Sequence, residues 1–161
     1  MTGTGPRRDL VHLLSVAEHH AVRRQAAVLR AQGQDCSIEQ WRVLNLLADG
    51  AGHTMSELAE HALLPAPTAT KLVDRLVTDN LVYRHPDPAD RRRVLVHAAD
   101  RGRELHARLA AALADAQADV PLPTDAGAEL AALLGRLADE ADAGSARNLG
   151  MFHTLPAASR P

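Results

Sequence analysis

The 161-residue sequence has one cysteine, Cys36, and one residue each of Trp, Tyr and Phe. A single cysteine excludes an internal disulfide framework and any multi-cysteine zinc site. Gln34, Asp35 and Ser37 offer Cys36 no nearby cation to favour a thiolate, so it reads as structural. The histidines show no i, i+4 pair; His19 and His20 are adjacent and point to different sides of a helix. No metal site and no cofactor are therefore expected. Ser15, Ser37, Ser56 and Cys36 stand in no recognisable nucleophile motif, which argues against an enzyme. No apolar run reaches the roughly 20 residues of a membrane-spanning helix, so no membrane partner is expected. Val11, Leu13 and Leu14 are interrupted by His12, Ser15 and Glu18, unlike a secretory signal, which predicts a cytoplasmic protein.

What is present is the composition of an ordinary globular domain, 46% hydrophobic and 24% charged. Charge is unevenly placed. Between Ala66 and His97, six basic side chains face four acidic ones; between Glu104 and Ala146, two face eight. The middle of the chain is suited to a polyanion and the C-terminal third is not.

Helical spacing of Leu10, Leu14, Ala17, Ala21 and Val28 predicts a helix from about Asp9 to Gln32, ended by Gly33. Ser37 with Gln40, and Thr54 with Glu57, are two capping boxes, each opening a helix. The first carries Trp41, Leu44 and Leu47 and stops at Gly50; the second is short and ends near Ala62. Pro65 makes a turn, and Pro67 fits the first turn of the next helix, where a missing N–H costs nothing. That helix offers Leu72, Val73 and Leu76 to a core and ends at Asn80 in the left-handed conformation. Leu81–Tyr83 and Val94–His97 read as strands joined by a polar loop, Pro86 to Arg92. A long helix follows with Leu105, Leu109 and Leu113 in register, broken by Pro121 and Pro123. The last helix carries Leu130, Leu133, Leu134 and Leu137. These terminal stripes predict a dimer seam. From Gly144 the pattern fades, predicting a tail.

Two short helices across a tight turn, then a basic hairpin, make a winged helix-turn-helix. A helix fits the major groove, and short polar side chains near its N-terminus reach base edges. Pro67, Thr68, Thr70, Lys71 and Arg75 lie on that helix. Arg91, Arg92 and Arg93 sit on the hairpin arm, where an Arg can enter a narrow minor groove.

Four segments carry a resemblance: Ser56–Ala59, Thr68–Leu76, Leu81–Arg84 and Asp90–Val96, with Gly102 beyond the second strand. Together they resemble the multiple antibiotic resistance regulator (MarR) family. The resemblance implies that Arg92 reaches the minor groove with Asp90 supporting it, and that the protein is an obligate homodimer. It also implies an effector site between the dimer helices and the DNA-binding lobe, here lined by His12, Ala17, His19, Arg23, Trp41 and Leu44. Where the family has Leu-Thr before the long helix this chain has Ala98-Ala99, which leaves Asp100 to cap it.

The expected fold is mainly α with a small β-hairpin wing. A lobe at 37–98 is flanked by dimerisation helices at 1–36 and 99–146, with a flexible tail at 147–161. The expected function is a homodimeric, ligand-responsive repressor on a pseudo-palindromic double-stranded DNA operator, its small-molecule effector unidentified. The competing reading is a winged helix turned protein-interaction module, which has no need of three consecutive arginines at a loop tip.

Overall fold

The computed structural model describes residues 9–32, 36–118 and 124–151. It contains α1 (Leu10–Ala31), α2 (Ile38–Leu46), α3 (Met55–His61), α4 (Ala66–Thr78), β1 (Val82–Pro86), β2 (Val94–Ala98), α5 (Asp100–Ala118) and α6 (Thr124–Met151). No described helix is long and apolar enough to cross a membrane. The expectations for Met1 to Pro6, Gly33, and Pro121 with Pro123 lie outside the described residues.

Both capping boxes form. Ser37 Oγ accepts from the Gln40 N–H at 3.2 Å, and Gln40 Oε1 accepts from the Ser37 N–H at 2.9 Å. Thr54 and Glu57 repeat the exchange at α3. α2 runs into a 3-10 turn, Leu47–Asp49, closed by Gly50 at φ +76°. The turn between α3 and α4 places exposed Leu63 at φ +57°, and Asn80 ends α4 at φ +55°.

The core is shared by every element up to α5. Leu29, Val43, Leu44, Leu47, Leu58, Val73, Leu76, Val82 and Val96 are buried in it. So are Leu105, Leu109 and Leu113. This corrects the dimer-seam expectation for α5: its leucines face the chain's own core, because α5 packs on α1, α2 and β2. It also merges the expected N-terminal, winged and α5 segments into one compact unit, Met1–Asp119, with Val120–Pro161 as a second. In the first unit Leu10, Val11, Leu13 and Val16 remain exposed at the start of α1. In the second, α6 exposes Leu130, Leu133, Leu134 and Leu137 and continues through Gly144 to Met151, further than its fading periodicity predicted.

The wing is a two-stranded antiparallel sheet in the register Val82↔Ala98 through Pro86↔Val94. β1 therefore reaches three residues beyond Tyr83, its expected end. His53 adds a bridge that the sequence did not announce: its N–H donates to Val96 O at 3.0 Å and its carbonyl accepts from the Val96 N–H at 2.8 Å. Gly52, at φ +78°, is held under the His97 ring, where a Cβ would lie 2.2 Å from Cε1.

α5 begins at Asp100 itself, so Asp100 lies in the first turn rather than at the cap, paired with Arg103. Ala99 precedes it, its N–H donating to Leu81 O at 3.0 Å. α5 also stacks His106 on Trp41 of α2, ring centroids 5.0 Å apart and 5° from parallel. His106 Nε2 lies 3.2 Å from Asn45 Oδ1. Burial holds the His106 imidazole below the usual histidine range, so the fold favours its neutral form. Stability from this group is complete above the ordinary histidine range and falls as pH drops through it. Thermal unfolding is therefore expected at lower temperature at pH 5.5 than at pH 7.5, and His106→Phe, which keeps the stack, should flatten that difference.

Candidate nucleic-acid interface

α4 presents its first turns outward. Pro67, Thr68, Thr70, Lys71 and Arg75 are all exposed, while Ala69, Val73 and Leu76 face the core. This is the helical period at work: one face anchors, the opposite face is free for a groove. Pro65 occupies the cap position and Pro67 the first turn, so α4 starts without a side-chain cap. Thr70 Oγ1 donates back to Ala66 O at 2.9 Å. Its hydroxyl thus offers lone pairs and its methyl, but no free proton. Arg75 lies one helical turn beyond Lys71 and reaches Asp79 at 4.0 Å, an exposed i, i+4 pair.

The wing tip is shaped by two aspartates. Asp87 Oδ1 accepts from the Ala89 N–H at 2.8 Å, and Asp90 Oδ1 accepts from the Arg92 N–H at 3.0 Å. Backbone bonds from Asp87 to Arg93 and from Arg93 to Asp90 close the loop. Asp90 also meets Arg92 Nε at 3.3 Å, and the Arg92 side chain is 92% exposed. Asp90 therefore steers Arg92 without burying it, and the terminal guanidinium nitrogens stay available. Arg93 is placed differently. Its Nε lies 4.0 Å from Asp87, whose side chain is largely buried. Arg91 is exposed at the turn.

Two contacts missed in the sequence hold the wing, one against α4 and one between its own strands. Arg84 on β1 pairs with Asp74 on α4 at 2.7 Å. An exposed pair of this kind is worth at most about 1 kcal/mol; its consequence is geometric, because it joins α4 to the wing. Tyr83 and His97, cross-strand partners, stack at 5.3 Å at the wing root. No spacing rule reveals a pair made across two elements. Glu57, at the start of α3, is held below the usual carboxylate range by the Thr54 N–H and hydroxyl, with His53 and Arg93 adding attraction.

The residues expected to line an effector site are not gathered around one. His12, Ala17, His19 and Arg23 are exposed on α1, and Trp41 is half-buried against His106. Cavities of about 460 Å³ and 370 Å³ lie elsewhere among the described residues, both lined by Cys36, Gln40 and Arg75. Of the expected residues only Leu44 lines one of them. Among the described residues no group of three or more His, Cys, Asp or Glu is placed to hold a metal ion.

Comparison with known proteins agrees with this geometry. A family model described as the MarR family matches residues 35–93. The HTH-type transcriptional repressor IacR of Pseudomonas putida is 38% identical over 58 residues, 36% of this chain. The chain spans about a third of that relative, 35% of its length. A mutant of E. coli MarR complexed with operator DNA superposes with a TM-score of 0.68 at 26% identity, covering 80% of this chain and 92% of that one. PcaV of Streptomyces coelicolor, in complex with its natural ligand, gives 0.66 at 26% identity, covering 88% and 99%. The two-helix unit, the Asp-steered arginine wing and these matches together make residues 35–93 similar to the MarR family of winged helix-turn-helix regulators.

Proposed function

We propose that this protein is a sequence-specific DNA-binding repressor, acting as a homodimer on a pseudo-palindromic operator and released by a small molecule. The observation that carries the reading is one lobe presenting two DNA-facing elements at once. The exposed start of α4 offers Thr68 and Lys71, and the wing tip offers Arg91 and Arg92, with the two elements joined by the Asp74–Arg84 pair. The first suits a major groove and the second an adjacent minor groove.

Two such lobes related by a two-fold axis would read half-sites about one helical turn apart. The exposed leucines of α6 and the exposed apolar start of α1 supply surface for that pairing. Exposed apolar stripes on helices favour association with a second copy. The operator-bound MarR, the repressor IacR and the ligand-bound PcaV support the same reading.

The test is selection of double-stranded DNA from a random pool, followed by anisotropy titration across a salt series. A recovered pseudo-palindrome, bound far more tightly than scrambled DNA and with a steep salt slope, is the expected result. Equal, weak binding to all sequences would instead favour the protein-interaction module.

A further inference from the structure

The chain leading into α4 is bare of polar side chains. Leu63, Leu64, Pro65, Ala66 and Pro67 follow one another, and all but Leu64 are exposed. Leu63 is 73% exposed, on the turn that feeds the helix. The backbone there offers few donors. Pro67 has no N–H, and the N–H groups of Thr68 and Ala69 both donate to Pro65 O, at 2.9 and 3.0 Å. A phosphate held at a helix start needs several converging N–H groups, which this first turn has already used or lacks.

Pro67 also has the central place on the outward face. At roughly 100° per residue, Pro67 and Lys71 share the ridge opposite the buried Ala69, Val73 and Leu76. Thr70 flanks that ridge with its hydroxyl proton already given to Ala66 O at 2.9 Å. Thr68 sets a hydroxyl on the other flank, and the ammonium of Lys71 follows one turn on. What the centre of the helix start holds out is therefore carbon, the pyrrolidine ring of Pro67.

In the major groove the bases differ in one apolar feature. Thymine carries a 5-methyl group, whereas guanine turns out two acceptors, N7 and O6, and cytosine an amino donor. A guanine or cytosine edge against a proline ring is stripped of water with no partner to replace it, which is unfavourable. A thymine methyl against the same ring is stabilised by its burial. We infer that Pro67 is a specificity-determining residue, seated on the 5-methyl group of a thymine in each operator half-site. The inference rests on the regulator reading, since it names what the groove-facing helix of that reading recognises.

The test takes the operator recovered by selection and replaces its thymines by deoxyuridine, one symmetric pair at a time. Uracil keeps every hydrogen-bonding group of thymine and lacks only the methyl. Affinities are measured by anisotropy for the wild type, Pro67→Ser and Pro67→Val, with thermal melts to show that each variant is folded. In the wild type one thymine pair should stand out, its replacement weakening binding about four-fold per half-site and so about fifteen-fold for the pair. In Pro67→Ser the same replacement should change affinity less than about two-fold, whereas Pro67→Val, which keeps apolar bulk, should retain most of the penalty.

An operator in which no thymine pair responds in the wild type overturns the inference, whatever the variants do, and leaves the regulator reading standing. A uracil penalty of equal size in the wild type and Pro67→Ser overturns it too, because the methyl then acts through the shape of the DNA or on another side chain. Loss of the penalty in both variants alike would make the ring a shaper of the helix start and not a contact, and also overturns it. If selection recovers no specific sequence, the regulator reading fails and this inference fails with it.

Discussion

Arg92→Ala is expected to weaken operator binding at least ten-fold while leaving the unfolding midpoint almost unchanged. The side chain is 92% exposed and its one ion pair, with Asp90, is solvent-exposed, so the fold loses at most about 1 kcal/mol. A DNA contact by arginine is worth about 1–3 kcal/mol, and the proposed dimer would lose it twice. Arg93→Ala should behave differently. Its pairing with the largely buried Asp87 makes it part of the loop's own structure, so its loss should loosen the wing and cost DNA affinity less than Arg92 does. Parallel anisotropy titrations and thermal melts of the two variants separate these roles. Wild-type operator affinity in Arg92→Ala would remove the wing from the interface.

Gly102→Ala is expected to destabilise the fold by about 2–4 kcal/mol, measured by urea unfolding. In an open helix the same change gains about 1 kcal/mol, because alanine has the better helix propensity. Here the new Cβ would lie 2.0 Å from the carbonyl oxygen of Leu81 and 3.0 Å from its carbon. That obstacle is backbone, and the same oxygen accepts the Ala99 N–H at the entry to α5. Leu81 cannot retreat without disturbing both the end of α4 and the start of the wing. Because α5 is seated through the buried Leu105 and Leu109, displacement at Gly102 also opens the core. A change smaller than about 0.5 kcal/mol would show that the close approach is not required.

Much of this architecture is local and therefore written in the sequence. A capping box is a four-residue object, so Ser37–Gln40 and Thr54–Glu57 mark the starts of α2 and α3 without reference to the rest of the chain. Asn80 in the left-handed conformation and Pro67 in the first turn of α4 are likewise set by backbone sterics. The exposed face of α4 and the polar tip of the wing follow from periodicity and composition, which is why the exposure of Thr68, Thr70, Lys71 and Arg75 was legible residue by residue.

Tertiary structure decided what depends on residues distant in the chain. A leucine stripe states that a helix has an apolar face, not what covers it. Leu105, Leu109 and Leu113 proved to be core and the leucines of α6 stayed exposed, although both stripes mark one face of a helix. The Asp74–Arg84 pair, the His53 bridge to Val96 and the approach of Gly102 to Leu81 have no signature within their own segments. Gln40 holds both lessons. Its capping oxygen follows from a three-residue spacing, whereas the cavity it lines exists only through the packing of α2 with α4 and α5.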